Sequence, residues 1–289
     1  MNSISVIILG SGTCVPSLTR SAPSLCVEID GTLILFDLGA GTMIRLLETG
    51  RAIVDISHVF FSHLHPDHTG ELVSFLFSTK YPGIYSRRTP FIIGGAQGLK
   101  RFFSGLAAVY GRWIEMEPDM MKILEFDVTG SDTHRFESFR LRTLPVEHVE
   151  SSVGYRIETQ DGISIVYSGD TDFCDNIITL AMDADLLVCE SAMPDDQKIR
   201  GHLTPSLAGR IATCARVKHL VLTHFYPECD DADIKTQCRN TYTGPLSLAR
   251  DLMTLKVNRD GVTVGTIGNC RTGEKASGDE KDSDRDPSL

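Results

Sequence analysis

At 289 residues, with 42% apolar and 23% charged side chains, the chain can bury a substantial core and has the make-up of an ordinary globular protein. Its formal net charge of −10 argues against affinity for nucleic acid through broad phosphate neutralisation, which needs a basic face, and leaves room only for a local basic cleft. No run approaches the ~18 apolar residues of a membrane span, no basic segment followed by an apolar stretch opens the chain, and no C-x-x-C pair occurs among the cysteines. A cytoplasmic protein with reduced core thiols and no membrane partner is the expectation.

In chain order, Ile4 to Leu9 is a strand-length apolar run, and the Gly10-Ser11-Gly12 turn after it lacks the spacing of a dinucleotide-binding loop. Ser24 to Asp37 reads as a hairpin about Asp30-Gly31 that runs into Asp37-Leu38-Gly39-Ala40-Gly41, with a helical pattern from Thr42 to Glu48. The apolar strand from Ile56 ends in His63-Leu64-His65-Pro66-Asp67-His68. Phe75 to Glu117 follows, rich in Lys, Arg and aromatic residues, and is expected to roof the cleft. A strand from Leu141 then leads to His148. A second hairpin spans Ser152 to Asp170 about Asp161-Gly162, followed by a helical pattern from Asn176 to Met182 and a strand from Leu186 that closes on Glu190. Gly201-His202-Leu203-Thr204-Pro205 precedes a helix from Ser206 to Ala215, and a last apolar strand ends at His224.

The stretch from Ile56 to Pro66 matches that from Val217 to Pro227, and each follows a hairpin and an Asp/Gly turn. Strand pairs alternating with helices predict an α/β fold, a four-layer αββα sandwich of two similar halves, within one domain over residues 1–270. Residues 271–289, with six acids and four bases, read as a disordered polar tail.

Four ligand-type side chains within six residues are too crowded for packing. Imidazoles and a carboxylate suit Zn²⁺, and accept Mn²⁺ or Fe²⁺ as well. His148, Asp170 and His224, each at a strand end, complete two coordination spheres, with the Asp170 carboxylate able to bridge. Asp37 is either a partner for a ligand histidine or the cap of the helix near Thr42.

In order, His63-x-His65-x-Asp67-His68, His148, Asp170 and His224 resemble the metal motif of the metallo-β-lactamase superfamily, over roughly residues 4 to 270. The resemblance implies one ion on His63, His65 and His148, a second on Asp67, His68 and His224, and Asp170 between them. Hydroxide formed on the ions would attack the substrate, with Asp67 orienting it as well as binding metal. Gly10-Ser-Gly12-Thr13, Phe36-Asp-Leu-Gly-Ala-Gly-Thr42 and Gly201-His202-Leu-Thr204 are most similar to the ribonuclease Z and phosphodiesterase branch. That implies His202 as proton donor to the departing alkoxide and Glu190 as the carboxylate that orients it. Pro66, Leu203 and Tyr226-Pro227 depart from the ribonuclease Z pattern, and the interval from His148 to Asp170 is too short for that family's tRNA-gripping arm. The expected substrate is therefore a small phosphodiester or related ester rather than RNA, and a homodimer is compatible with the sequence. Three alternatives remain: a tRNA 3′-end endoribonuclease, a lactone or other non-phosphate ester hydrolase, and a non-catalytic metal-binding member.

Overall fold

The computed structural model describes residues 3–81 and 86–267. The polar tail expected at 271–289 lies outside the described residues, as does Cys270. The chain order is β1 Ile4–Gly10, β2 Ser24–Ile29, β3 Thr32–Phe36, α1 Thr42–Glu48, β4 Ile56–Phe61, α2 Pro66–Thr69, α3 Leu72–Ser78, β5 Phe91–Ala96, α4 Leu99–Tyr110, β6 Met121–Phe126, β7 Asp132–Arg135 and β8 Phe139–Pro145. It continues with β9 Val153–Thr159, β10 Ser164–Tyr167, α5 Asp175–Ala181, β11 Leu186–Glu190, α6 Pro205–Cys214, β12 Leu220–Thr223, α7 Ile234–Arg239, β13 Leu246–Leu248, β14 Met253–Asn258 and β15 Gly261–Thr266.

The strands form two sheets, ordered β15-β14-β1-β2-β3-β4-β5-β6 and β13-β12-β11-β10-β9-β8-β7. Alternation along the strands explains the layering, because successive side chains point to opposite faces. Ile4, Val6 and Ile8 of β1, Ile34 and Phe36 of β3 and Phe60 of β4 enter the core shared with the second sheet. Their neighbours Ile7, Leu9, Leu33, Leu35, Val59 and Phe61 pack with Leu46, Phe75 and Leu99 of α1, α3 and α4. Ile177 and Leu180 of α5 and Ala208 and Ile211 of α6 extend the first core on the far side of the second sheet. The inner strands of both sheets are thereby buried on both faces, giving the αββα sandwich expected from the sequence. Among the described residues no helix is long and apolar enough to cross a membrane, and no disulfide links the cysteines.

Two expectations need correction. The described residues of Phe75 to Glu117 do not roof the cleft: they supply the end of α3, the strand β5 and the helix α4, building the far edge of the first sheet and its outer cover. Two of the segment's cations have other tasks, Lys80 donating to the Arg112 and Glu115 carbonyls and Arg87 to those of Ile53 and Ile56. The internal repeat is real in sequence but shifted in topology. β3 runs parallel to β4, and the equivalent neighbour of β10 is β11, so the histidine-ended twin of β4 is displaced one strand outward to β12.

His58, buried on β4, has its ring against Phe60, Phe136 and Phe139, and burial pushes its pKa down from 6.5 to about 4. A depressed folded-state pKa gives stability that is complete above 6.5 and is lost as pH falls toward 4, because the unfolded chain takes a proton the folded one refuses. Across that window His58 should account for about 3 kcal/mol. His58→Phe should flatten the stability curve by that amount in urea titrations at stepped pH; parallel curves for the two proteins would refute the assignment.

Candidate metal centre

Every expected ligand lies at the same edge of the sandwich, where strand ends of both sheets meet. β4 delivers His63, and Pro66 at the first turn of α2, where its missing N–H is no loss, starts the short helix that carries Asp67 and His68. The second sheet contributes His148 after β8, Asp170 after β10 and His224 after β12. Asp37 and His224 hold left-handed backbones with φ 60° and 62°, a conformation disfavoured outside glycine. Strain at those two strand ends turns both side chains toward the centre. Gly169 has φ 57°, and a Cβ there would sit 2.5 Å from that of Ser62, so only glycine lets the two sheets approach this closely.

Asp170 Oδ2 is the focus. It lies 3.3 Å from His68 Nε2, 3.4 Å from His224 Nε2, 3.7 Å from His63 Nε2 and 3.8 Å from His148 Nε2. His65 Nδ1 is 3.2 Å from His148 Nε2, and Asp67 Oδ2 is 3.7 Å from His68 Nε2. His63, His65, His148 and Asp170 form one group with ligand atoms mutually within 4.8 Å, and Asp67, His68 and His224 form another. Asp170, His202 and His224 satisfy the same criterion.

The outer ring nitrogens are held by the fold. His63 Nδ1 meets Ser62 Oγ at 3.0 Å, His68 Nδ1 meets Asp37 Oδ2 at 2.7 Å, and His148 Nδ1 meets the Gly201 carbonyl at 2.8 Å. Such partners orient a ligand imidazole and leave Nε2 for a cation. His63 Nε2, His68 Nε2 and both nitrogens of His224 are buried without a hydrogen-bond partner. Each such group costs about 1–3 kcal/mol if nothing offsets it. Convergent, unpaired imidazole nitrogens beside carboxylates are the donor set a divalent ion of the zinc type requires, so the residues fit the metal that the sequence implied.

Charge within the centre follows from burial and proximity. Desolvation works against ionised Asp170, yet His224, His68 and His63 hold its carboxyl well below the usual range. Desolvation likewise opposes charge on His68, while Asp170 and Asp37 raise it well above the ordinary imidazole value. Burial pushes His148 down and His224 down to about 4, favouring the neutral, ligating form.

Asp37 resolves to the first of its two expected roles. Its carboxylate also accepts from Ser62 N, Ser62 Oγ and Tyr167 Oη at 2.7, 2.8 and 2.7 Å, whereas α1 is entered through Gly41 and held by the Glu71 carboxylate on Gly41 N and Met43 N. Ser62, Tyr167 and Gly201 were not singled out from the sequence as partners. A serine preceding the first histidine and a tyrosine three residues before Asp170 were the available signals.

His202 and Glu190 are also brought together. His202 Nδ1 lies 3.0 Å from Glu190 Oε1, which also accepts from Thr171 N, while Oε2 accepts from Leu203 N. Complete burial pushes the Glu190 carboxyl up to about 7 despite His202, and Glu190 raises His202 against its own desolvation. The His202 ring is nearly parallel to His224 at 5.6 Å and edge-on to His148 at 4.7 Å. Tyr226 stands edge-on to His202 and His224, its hydroxyl 3.7 Å from Cys14 Sγ.

A cleft of about 490 Å³ opens beside Asp67, walled by Thr13 to Ser17, Arg20 to Ala22, Ala40, Gly41 and Pro66. Arg20 is its one cation, and that guanidinium is engaged by Asp230, Ser11 and the Ala249 carbonyl.

Comparison with known proteins accords with this fold. Residues 32–225 match the family described as the beta-lactamase superfamily domain. A ribonuclease Z from Mycobacterium sp. (strain KMS) is 29% identical over 287 residues, covering 92% of this chain and 100% of that protein. The crystal structure of human tRNase Z, short form, is 26% identical with a TM-score of 0.74, covering 88% of this chain and 99% of that one. The metallo-beta-lactamase fold protein YhfI from Bacillus subtilis, at 21% identity, superposes with a TM-score of 0.76 over 89% of this chain and 100% of its own.

Proposed function

This chain belongs to the beta-lactamase superfamily, and from that premise we propose that it hydrolyses a small phosphodiester at a centre of two divalent ions, of which Zn²⁺ suits the donors best. His63, His65 and His148 would hold one ion and Asp67, His68 and His224 the other, with the Asp170 carboxylate available to both. The supporting observation is the convergence of four Nε2 atoms within 3.3–3.8 Å of one Asp170 oxygen.

When bound, such ions lower the pKa of a shared water and take up the charge that develops on phosphate oxygens. The chain's own residues do the rest. Asp67, half-buried at the wall of the cleft, lies where it can orient that water as well as bind metal. Glu190 keeps His202 protonated through Nδ1, leaving Nε2 to give a proton to the departing oxygen. Tyr226 closes the space between His202 and the cleft wall at Cys14.

The ribonuclease Z relatives favour a second reading, tRNA 3′-end cleavage. Against it, residues 148–170 hold only a turn and the β9–β10 hairpin, and the cleft beside Asp67 offers no uncommitted cation for a polyanion.

Purified, metal-loaded protein should hydrolyse bis(p-nitrophenyl) phosphate, lose that activity to chelator and regain it with added metal. Cleavage of a cephalosporin or lactone about a hundredfold more efficient than of every phosphodiester tried would overturn the assignment. Efficient 3′ cleavage of pre-tRNA in the same panel would establish the second reading instead.

A further inference from the structure

We infer that Asp172 is a positioning residue, one carboxylate that fixes the His148 side of the metal centre and the His202 segment together. This rests on the reading of His148 as a ligand.

Asp172 lies two residues beyond Asp170 and reaches both neighbouring loops. Its backbone N–H donates to the Glu147 carbonyl at 2.6 Å, adjoining His148. Its Oδ2 accepts from Gly201 N at 2.9 Å and from Lys198 Nζ at 2.8 Å, and its Oδ1 accepts from Phe173 N at 2.8 Å. Gly201 is the residue whose carbonyl receives His148 Nδ1, and the residue before His202. Asp172 thus holds the N–H of the peptide plane entering Gly201, and the plane leaving Gly201 carries both the carbonyl that meets His148 and the link to His202. Glycine suits the position: Gly201 has a left-handed φ of 85°, and a Cβ on it would lie a tight 3.1 Å from His148 Nδ1.

The consequence is directional. With the Gly201 N–H anchored, its carbonyl is held in place to take the Nδ1 proton of His148, which leaves His148 Nε2 facing Asp170. Released, the segment from Lys198 to His202 is free to swing, and both the ligand tautomer and the His202 placement lose definition. Lys198 is an exposed partner of Asp172, with a surface pair's small worth, so the Asp172–Gly201 bond carries the effect.

The test is Zn²⁺ retention against a chromophoric chelator, measured on wild type, Asp172→Ala, Asp172→Asn, Lys198→Ala and His148→Ala, with thermal unfolding to confirm that each variant folds. Asp172→Ala should weaken the affinity of one ion by about 10–100-fold and leave the other near wild type. Asn at 172 keeps an oxygen for the Gly201 N–H and should restore most of that loss, and Lys198→Ala should change little. Equal retention in wild type and Asp172→Ala, or a loss that Asn does not rescue, overturns the inference. If His148→Ala itself keeps both ions, the ligand assignment fails first; if it loses one while Asp172→Ala loses none, the role of Asp172 alone is wrong.

Discussion

Asp170→Ala is expected to lose at least one of the two ions and to lower phosphodiester turnover by on the order of 10³-fold, the several kcal/mol of charge stabilisation a metal centre supplies at 1.36 kcal/mol per tenfold. The Asp170 carboxylate is the one group within 4 Å of His63, His68, His148 and His224 alike. Without it, the two proposed cations would face each other with no anion between them. Elemental analysis of wild type and variant, loaded under the same conditions, measures the first effect and steady-state kinetics the second. Equal metal content in the two proteins would remove Asp170 from the bridging role, and wild type devoid of metal after saturation would remove the centre.

His202→Ala is expected to separate substrates by leaving group. An alkyl phosphodiester departs as a strongly basic alkoxide and needs a proton, whereas p-nitrophenolate departs with little help. The variant should therefore slow alkyl esters by ~10²–10⁴-fold and p-nitrophenyl esters much less, with metal content unchanged. The His202–Glu190 bond at 3.0 Å, with Glu190 also held by Leu203 N and Thr171 N, is the contact that would align the proposed donor. Equal losses on both esters would assign His202 to binding the transition state. Loss of metal would make it a ligand, a role its position beside Asp170 and His224 permits.

Much of the fold could be read from the chain because local and global signals agree there. The hairpins at Asp30-Gly31 and Asp161-Gly162 carry turn residues that demand positive φ, and the strand pairs β2–β3 and β9–β10 flank them as expected. α1 falls on Thr42–Glu48 as expected, while α5 and α6 lie one residue N-terminal of the periodic patterns. β5 was missed because Phe91-Ile-Ile-Gly-Gly-Ala is a short apolar run without alternation, and the nearby Lys and Arg residues suggested a cleft wall instead. The shift between the β4 and β12 repeats was illegible for another reason: sequence similarity records local strands, while strand order is set by an inserted crossover through α6.

Within the centre, residues of specialised chemistry were legible and neutral helpers were not. Five histidines and two aspartates announce themselves by crowding and by position at strand ends. Ser62, Tyr167 and the Gly201 carbonyl act through groups common to any chain, and only tertiary structure decides what they meet.

Two tyrosines of the second sheet donate across the gap into the first: Tyr167 to the Asp37 carboxylate at 2.7 Å and Tyr155 to the Phe61 carbonyl at 2.5 Å. Both bonds are buried, and neither involves a ligand nitrogen. The separation of the sheets at this edge is therefore set by folding itself, before any cation arrives. An incoming ion finds its donors preorganised, so the entropy of assembling them is lost during folding and does not weaken binding. Removing the Tyr167 hydroxyl would take one of the bonds from the Asp37 oxygen that also holds His68, so part of that assembly would be left for the ions to complete.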